Sequence, residues 1–490
     1  MTTTYGKQQM RAPQQRVAEP PRPFASAQPA PEPLPAFGER ILAEGVFVSN
    51  DGRTTGLNGN DAIIGASGSG KTRSYVKPNL LCGQGSFIVA DTKGELCRSL
   101  RTALEGRGYE VQLVDLTNMA ASPWGYNPLR FVRRDAGGRP APQDVMALAG
   151  ALSPQERQDD PFWDESARLQ LSALIGYVLE ALPEDERHLG SVAEMFSRAD
   201  ARGKLLGRLF DERETVDPRS FAAQKWRMAR SVMESEKTQG CIQGFMAQKL
   251  DSFVYEAPIA MFTKAEQVDF AELGRRKIAL FVNVSDTDRS HDRLVNMLYT
   301  QALHELIRAA DAEREHRLRV PVRIVLDDFA ANSVIPDFDR IVSVVRSRGI
   351  SVSIIIQSLS QLSAMYDEAR ASTILNNCDH CLYLGGQDVE TARFIGAKAD
   401  KPIGTVLALP VGSAYLFERG ARPRLVRQFD LARHEPELML RATRDMKQYQ
   451  RLSAARSERE RAAAEREEAA RRETSRETAW GGAQAQPRVA

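Results

Sequence analysis

Short apolar runs separated by helix-length polar segments occur in two parts of this 490-residue chain. The runs that we interpret as buried strands are residues 62–64, 86–90, 110–115, 277–284, 322–328, 350–357 and 381–385. Strands that alternate with helix-length segments are typical of βαβ units, in which the strands form a parallel sheet. The pattern therefore predicts an α/β fold with a mainly parallel sheet flanked by helices.

Two further short runs predict a hairpin near the end of the ordered pattern. Residues 414–417 and 425–429 are rich in apolar side chains, and the turn formers Gly420 and Pro423 lie between them. We expect this hairpin to complete the sheet.

The segment between the two strand-containing parts has helical periodicity. Apolar residues recur at three- and four-residue spacing from Phe162 to Val178, with Pro161 as a start signal and Pro183 as a stop signal. Further helical patterns cover residues 191–210 and 221–250. The pattern predicts an all-α domain inserted at about residues 141–265.

The two ends of the chain differ in composition from its centre. Residues 1–40 are rich in Pro, Gln and Ala and have too little apolar area to offset the entropy cost of ordering, so we expect a disordered leader. This leader either docks a partner or only solubilises the chain. Residues 436–490 are a string of Arg, Glu and Ala without an apolar stripe, which predicts a charged tail that is helical or disordered.

The stretch that follows the first predicted strand carries phosphate-binding chemistry. Its residues are Gly65, Ala66, Ser67, Gly68, Ser69, Gly70, Lys71 and Thr72. The pattern G-x-x-x-x-G-K-[ST] forms a loop whose glycines let backbone N–H groups fold inward around phosphates. Lys71 would reach the β- and γ-phosphates, and the Thr72 hydroxyl would coordinate Mg²⁺. The sequence therefore predicts a nucleotide site, with a chance glycine-rich turn as the alternative.

A phosphate loop needs a partner carboxylate, and the predicted strand at 322–328 ends in Asp327 and Asp328. We expect Asp327 to hold the Mg²⁺ shell and Asp328 to orient or deprotonate the attacking water. The more usual second residue is Glu, whose extra methylene extends its reach. The alternative is an Asp-Asp turn at a strand end without a catalytic role.

Two other polar features also follow predicted strands. Gln357 ends the strand after the acidic pair, where it could hydrogen-bond the γ-phosphate or water and sense its loss; a strand-ending Gln without function is the alternative. The turn at 91–95 follows another strand. Because ligands of parallel sheets bind at the carboxyl ends of the strands, we expect this turn on the same edge as the phosphate loop.

Arginines at subunit edges could stabilise the charge on a neighbour's transferring phosphoryl group, provided that the protein forms a ring. The candidates are Arg346, Arg348, Arg393 and Arg419.

Composition limits the function without identifying it. The formal net charge is +2, so a nucleic-acid partner would have to meet a local basic surface. The five cysteines are scattered and fit a reducing cytosol, and Cys378-Asp379-His380-Cys381 lacks the second cysteine pair of a zinc site. No run approaches 18 apolar residues and no signal-peptide pattern is present. We therefore expect a cytoplasmic protein that reaches the membrane only through a partner.

Several motifs, in fixed order, resemble the TraG/TraD-like coupling ATPases of conjugation and type IV secretion. The motifs are GASGSGKTRSYVKPNLL from Gly65, SFIVADTKGEL from Ser86, Asn127-Pro128-Leu129, Pro161-Phe162-Trp163, LDDFAAN from Leu326, QSLSQL from Gln357, TILNNCDHCLYLGG from Thr373 and Thr391-Ala392. The correspondence covers about residues 45–435.

The resemblance implies a RecA-like hexamer that uses ATP hydrolysis to move DNA and its attached relaxase into a secretion channel. It divides the ATPase domain into residues 41–140 and 266–435, on either side of the substrate-receiving all-α domain. It also implies ATP and Mg²⁺ as ligands. The implied partners are DNA, relaxase or secreted proteins, and channel components at the inner membrane.

Carried over by position, the resemblance assigns nucleotide and Mg²⁺ binding to Lys71 and Thr72. Asp327 and Asp328 correspond to the acidic pair, and Gln357 corresponds to a strand-end glutamine of the family. Two features depart from the family pattern. Typical members begin with transmembrane helices, and the usual acidic pair is Asp-Glu rather than Asp-Asp.

Two other functions remain open at this level. One is a DNA translocase of the FtsK/HerA kind, which would carry a small terminal DNA-reading domain; the residues after Glu435 lack the apolar pattern of one. The other is a nucleotide-gated receptor that recruits substrates with little hydrolysis.

Overall fold

The computed structural model describes residues 38–154, 161–198, 204–232, 236–285, 287–329 and 334–434. The predicted tail at 436–490 and all but the last three residues of the predicted leader at 1–40 lie outside these ranges. Three residues of the LDDFAAN motif, Ala330, Ala331 and Asn332, also lie outside them.

Eleven strands are present in the described part of the chain. They are β1 (Glu39–Ala43), β2 (Val46–Ser49), β3 (Asp61–Ile64), β4 (Ser86–Asp91), β5 (Glu110–Asp115), β6 (Ile278–Asn283), β7 (Val322–Leu326), β8 (Ile350–Ile356), β9 (His380–Tyr383), β10 (Ser413–Glu418) and β11 (Arg424–Arg427). β1 and β2 form a separate antiparallel hairpin, and the other nine form one sheet in the order β11-β10-β9-β3-β8-β7-β4-β6-β5.

The large sheet is parallel from β9 to β5, and only β10 and β11 run antiparallel at one edge. In the register, Ile64 of β3 lies opposite Ile356 of β8 on one side and Tyr383 of β9 on the other. The predicted α/β fold with a mainly parallel sheet is therefore confirmed. The hairpin expected near the end of the pattern forms the antiparallel edge.

Fifteen α-helices lie in the same described ranges. They are α1 (Gly52–Thr55), α2 (Lys77–Cys82), α3 (Glu95–Glu105), α4 (Pro142–Leu152), α5 (Phe162–Ala181), α6 (Leu189–Ser197), α7 (Lys204–Val216), α8 (Phe221–Val232), α9 (Glu236–Leu250), α10 (Glu256–Phe262), α11 (Asp292–Ala312), α12 (Phe338–Val344), α13 (Leu359–Asn376), α14 (Val389–Ala399) and α15 (Ile403–Leu407). Helices α4 to α10 follow one another between β5 and β6.

In the described residues, the helical pattern at 191–210 contains most of α6 and the first half of α7, and the pattern at 221–250 contains α8 and α9. The first pattern ends too early, because α7 continues past Phe210 to Val216. The helix stops where Pro218 follows, since a proline disfavours the helical conformation of the residue before it.

The two faces of the sheet pack against different helices because side chains alternate along each strand. On one face, Ile63, Phe87 and Phe281 share a buried cluster with Leu80 of α2 and Leu100 of α3. The other face belongs to a larger cluster that contains residues of α11 and α13 and continues into α5. The phosphate loop therefore leads from a strand that is buried on both faces.

A buried cluster of polar side chains lies at the amino end of β3. The Asp61 carboxylate accepts hydrogen bonds from Arg40 at 2.8 Å through both Nε and Nη2, from Arg323 at 3.1 Å and from the Tyr75 hydroxyl at 2.5 Å. Burial alone would raise the pKa of Asp61, but Arg40, His380 and Arg323 together hold it well below its usual range. Because Arg40 belongs to β1, the cluster attaches the N-terminal hairpin to the large sheet.

Across the described ranges, no helix combines the length and the apolar character needed to cross a bilayer.

Candidate nucleotide site

The phosphate loop connects the end of β3 to the first helical turn of the next segment. Gly68 and Gly70 have φ values of +76° and +95°, which side chains with a Cβ rarely adopt. A Cβ on Gly65 would lie 2.5 Å from the Ser69 Oγ. The first turn after the loop, Thr72–Val76, is a π-helix. Such turns are frequent at functional sites.

Lys71 lies across the loop that precedes it. Its Nζ donates to the backbone oxygens of Gly65 at 2.6 Å and Ala66 at 3.0 Å. Burial lowers the pKa of Lys71, against the opposing charges of Asp328 and Asp327. The ammonium therefore stays within the loop, where the β- and γ-phosphates of a nucleotide would be held.

Thr72 and Asp327 meet although they are 255 residues apart in the chain. The Thr72 Oγ1 donates to the Asp327 Oδ2 at 2.8 Å. Burial raises the pKa of Asp327, with the hydrogen bond from Thr72 as the main opposing effect. In nucleotide sites, Mg²⁺ is coordinated by phosphate oxygens together with one or two protein oxygens, such as a hydroxyl and a carboxylate. Several water molecules remain as its other ligands. The donor set therefore fits Mg²⁺ held jointly with a nucleotide.

Asp328 and Gln357 form the second pair at this edge. The Gln357 Nε2 donates to the Asp328 Oδ1 at 3.1 Å. Asp328 has a φ of +52°, in the left-handed region that Asp tolerates better than most residues. Strained backbone of this kind clusters at functional sites. This conformation turns Asp328 away from the direction of the strand, so that the Asp328 carboxylate lies beside Gln357.

One cavity of about 600 Å³ brings these groups together. It is lined by Ser67, Gly68, Gly70, Lys71, Thr72, Arg73, Lys77, Asp91, Thr92, Lys93, Glu95, Leu96, Asp327, Asp328, Gln357 and Leu431. The turn at 91–95 therefore lies on the expected edge. Ligand pockets for molecules the size of a nucleotide have volumes of about 300–1,000 Å³.

Sequence reasoning gave no role to four residues that line this cavity, Arg73, Lys77, Leu96 and Leu431. Arg73 follows the phosphate loop directly, so its position was a usable signal. Leu431 follows β11, more than 350 residues after the loop, and no local pattern distinguishes it from other apolar residues. Only the pairing of β9, β10 and β11 beside β3 places it here.

The four candidate trans-acting arginines lie in two places. Arg346 donates to the Gly52 oxygen at 3.0 Å, Arg348 pairs with Asp311, and Arg419 pairs with Asp379. These three lie near the amino ends of β8 and β3, opposite the phosphate loop. Arg346 and Arg348 line a cavity of about 1,070 Å³ there. Arg393 lies instead in α14, after β9.

The Cys378-Asp379-His380-Cys381 stretch shows no metal site. In the described ranges, no group of three or more His, Cys, Asp and Glu side chains is arranged to hold a metal ion. Cys381 is buried in the core, Asp379 pairs with Arg419, and His380 contacts Asp61.

Comparison with known proteins places this site in a family. The sequence profile described as "Type IV secretory system Conjugative DNA transfer" matches residues 38–401, which include the phosphate loop, the acidic pair and Gln357. The chain belongs to this family. The match also contains the helical segment α4 to α10 and ends just after α14.

A curated relative also matches this chain. The protein VirD4 of Rhizobium rhizogenes is 22% identical over 409 residues, which cover 80% of this chain and 59% of VirD4. The chain thus spans about three-fifths of the length of the curated relatives it matches.

The structural similarity is to the bacterial conjugative coupling protein TrwBΔN70. Its unbound form is 14% identical, with a TM-score of 0.57 over 79% of this chain and 88% of that one. TrwB bound to the ATP analogue ADPNP gives a TM-score of 0.56, with 14% identity over 76% of this chain and 85% of that one. At this level of identity the similarity shows the RecA-like P-loop fold.

Proposed function

We propose that this chain is an ATP-driven coupling protein of a type IV secretion or conjugation system. It would recruit DNA with its attached relaxase, or protein substrates, and translocate them into the secretion channel. The observation that carries the proposal is the Thr72–Asp327 contact of 2.8 Å beside Lys71, inside a family whose description is conjugative DNA transfer. TrwB has been solved with the ATP analogue ADPNP and with ADP and Mg²⁺, which supports ATP and Mg²⁺ as the ligands here.

Each site residue has a separate task in the proposed reaction. The loop N–H groups and Lys71 bind the phosphates, and Thr72 and Asp327 would hold Mg²⁺, which neutralises charge on the phosphates when bound. Asp328 orients the attacking water and accepts its proton. Gln357, bonded to Asp328 at 3.1 Å, positions that carboxylate and contacts the γ-phosphate side of the cavity. Catalysis of this kind depends on positioning and electrostatics rather than on covalent chemistry.

The proposal includes assembly into a hexameric ring at the cytoplasmic face of the inner membrane, through partner proteins. Of the candidate arginines, Arg348 and Arg419 are held by carboxylates, whereas Arg346 is exposed and bonds one backbone oxygen. Arg346 also lies at the edge opposite the protomer's own nucleotide site, beside the cavity of about 1,070 Å³. We therefore favour Arg346 as the residue that reaches a neighbour's nucleotide.

The testing experiment is steady-state ATP hydrolysis by the full chain, with and without DNA. Lys71→Ala and Asp328→Asn should each abolish DNA-stimulated turnover, while Lys401→Ala and Asp211→Asn, at exposed positions away from the cavity, should keep it. Stimulation should weaken steeply with salt, because DNA phosphates are the contact. ATP binding without DNA-responsive hydrolysis would overturn the motor and favour the nucleotide-gated receptor.

A further inference from the structure

Backbone strain in this chain is concentrated around one group of aromatic rings. Within the described ranges, the non-glycine residues with a positive φ are His316, Asp328, Asp337, Asp367 and Asp400. Three of them are direct neighbours of an aromatic residue, in the pairs Asp328-Phe329, Asp337-Phe338 and Tyr366-Asp367. A strained backbone persists only where the surrounding structure holds it in place. The three rings are therefore well placed to hold these three aspartates.

Phe329, Phe338 and Tyr366 pack together in the core, and we call them the aromatic trio. The rings of Phe329 and Tyr366 are stacked, with centroids 5.8 Å apart and an angle of 15° between their planes. The centroid of Phe338 lies 5.3 Å from that of Phe329 and 6.1 Å from that of Tyr366. All three side chains are at most 2% exposed. Because protein interiors are closely packed, the trio fixes the position of Phe329 and of the peptide bond before it.

Tyr366 holds this region through its hydroxyl as well as through its ring. The Ile335 N donates a hydrogen bond to the Tyr366 Oη at 2.9 Å. Ile335 is buried and lies six residues after Phe329. One side chain thus contacts the chain directly after the acidic pair and again just before α12. Removing the hydroxyl would leave the buried Ile335 N–H without this partner, which is costly.

Tyr366 is also connected to the other side of the second acid. It belongs to α13, which begins at Leu359, two residues after Gln357. The Gln357 Nε2 donates to the Asp328 Oδ1 at 3.1 Å. Asp328 is therefore held at two points. Gln357 contacts its carboxylate, and Tyr366 fixes its backbone through Phe329.

We propose that Tyr366 is a positioning residue that holds Asp328 in its left-handed conformation, with the carboxylate in the nucleotide cavity. Without the ring of Tyr366, Phe329 can shift and the backbone of Asp328 can relax to the extended conformation of a strand. Adjacent side chains of a strand point to opposite faces, so the carboxylate would then leave the attacking water. The phosphate loop would stay intact. This inference rests on the proposed ATP hydrolysis.

The test compares ATP turnover with affinity for the non-hydrolysable analogue ADPNP, using the full chain in the presence of DNA. Tyr366→Leu removes the stacked ring and the hydroxyl. It should lower the turnover number by about tenfold to a hundredfold and keep the dissociation constant of Mg²⁺-ADPNP within about twofold. Tyr366→Phe keeps the ring, so it should lower turnover by only about threefold to tenfold.

Two matched variants control for the loss of a buried hydroxyl and of a buried ring. Tyr299→Phe alters a buried tyrosine of α11 whose Oη has no hydrogen-bond partner among the described residues. Phe210→Leu removes a buried ring of α7 that is stacked on Trp226, with centroids 4.6 Å apart. Both variants should keep turnover within about twofold, because neither residue contacts the aromatic trio.

A double variant identifies the group through which Tyr366 acts. In Asp328→Asn the carboxylate is already lost, so adding Tyr366→Leu should lower the remaining single-turnover rate by less than about twofold. An equal proportional loss in both backgrounds would overturn the proposal. Wild-type turnover in both Tyr366 variants would also overturn it, as would a loss of ADPNP affinity as large as the loss of turnover.

Lys71→Ala separates these results from failure of the proposed function. If Lys71→Ala is inactive while both Tyr366 variants are fully active, only the positioning role is wrong. If Lys71→Ala keeps wild-type turnover, the nucleotide site itself is wrongly assigned, and the inference about Tyr366 is overturned with it.

Discussion

The two aspartates at the end of β7 have different environments. Asp327 is bonded to Thr72, and Asp328 turns away into a left-handed backbone conformation beside Gln357. Adjacent residues of one strand end would otherwise point to opposite faces of the sheet. The backbone of Asp328 therefore brings its carboxylate to the same cavity as Asp327.

Replacing Asp328 should separate hydrolysis from binding. We expect Asp328→Asn to lower the ATP turnover number by about 10²- to 10³-fold, because the amide cannot accept the proton of the attacking water. Affinity for the ATP analogue should change less than about twofold. Asp328→Glu should keep measurable turnover and serves as the matched control. A variant Asp328→Asn with wild-type turnover would contradict the assignment.

The pKa shifts of Asp327 and Lys71 predict how nucleotide binding depends on pH. Binding needs an ionised Asp327 and a protonated Lys71. The pKa of Asp327 is raised above the ordinary carboxyl pKa of about 3.9. On acidification, Asp327 should therefore become protonated and stop contributing to nucleotide binding at a higher pH than an ordinary carboxyl group would. The pKa of Lys71 is lowered from the ordinary lysine pKa of about 10.4. As the pH rises, Lys71 should therefore lose its proton, and nucleotide binding should weaken, before the pH reaches that value.

The acid limb can be measured as a ratio of affinities for Mg²⁺-ADP between wild type and Asp327→Asn, because titration of the ligand itself then cancels. We expect a ratio of about ten at pH 7. On acidification the ratio should fall toward one, and the fall should begin at a higher pH than for a carboxyl group with an ordinary pKa. A ratio that stays constant down to pH 4.5 would show that Asp327 has an ordinary pKa or does not contribute to Mg²⁺ binding.

At the scale of elements, β3 is held at both ends by interactions that the phosphate loop depends on. At its amino end, Asp61 bonds Arg40 of β1 and Tyr75 of the π-helical turn. Tyr75 lies only three residues after Thr72, so one buried carboxylate joins the strand before the loop to the turn after it. At its carboxyl end, the Gly65 N donates to the Ile356 oxygen of β8 at 3.1 Å.

Removing the charge of Asp61 should destabilise the whole sheet. Asp61→Asn leaves Arg40 and Arg323 buried without their carboxylate, which costs about 3–5 kcal/mol of unfolding free energy. Glu315→Gln removes the exposed pair with Arg53, whose side chains are 72% and 60% exposed, and should cost less than about 1 kcal/mol. Guanidinium denaturation followed by circular dichroism measures both. Equal losses in the two variants would contradict the proposed role of burial.

The contact between the phosphate loop and Gln428, which follows β11, predicts the effect of adding one methyl group to Gly70. Gly70→Ala would force a Cβ into a backbone conformation with φ of +95° and to within 2.9 Å of the Gln428 Oε1. We expect affinity for the ATP analogue to fall at least about tenfold. The control is Gly404→Ala in α15, where a Cβ meets no atom within 4 Å. Its affinity for the ATP analogue should not change.

At the scale of the whole molecule, the proposed ring predicts complementation between two inactive variants. Lys71→Ala keeps Arg346 but cannot bind the nucleotide, and Arg346→Ala keeps the phosphate loop but lacks the arginine. If Arg346 acts on a neighbour, equimolar mixed rings should regain about one quarter of wild-type ATP turnover, because that share of sites combines an intact loop with an intact neighbouring arginine.

Arg393→Ala and Arg53→Ala are the comparison variants for this experiment. Arg53 also lines the cavity beside Arg346, so its loss controls for a general change in that surface. Mixed rings that stay inactive would contradict Arg346 as the trans-acting residue. Recovery with Arg393→Ala instead would place the contact at α14.

The sequence alone determined the features that depend on neighbouring residues. The alternation of short apolar runs with helical segments is local, and it predicted the parallel sheet. The phosphate loop is also local, because eight consecutive residues supply its glycines, Lys71 and Thr72. The acidic pair and Gln357 were predictable because each directly follows a buried strand, and the carboxyl ends of parallel strands share one edge.

The tertiary structure decided which of these strand ends are neighbours. The order β9-β3-β8-β7 places Thr72 against Asp327 and Gln357 against Asp328. It also brings Leu431 to the cavity and Arg40 to Asp61. The order of the strands results from burial of the two faces of the sheet and from pairing between segments that are distant in the chain. The local pattern of apolar residues would be the same for any order, so it cannot predict which strands are neighbours. That is the physical reason why the phosphate loop and the polar strand ends were readable from the sequence, whereas the β11 side of the cavity and the buried Asp61 cluster were not.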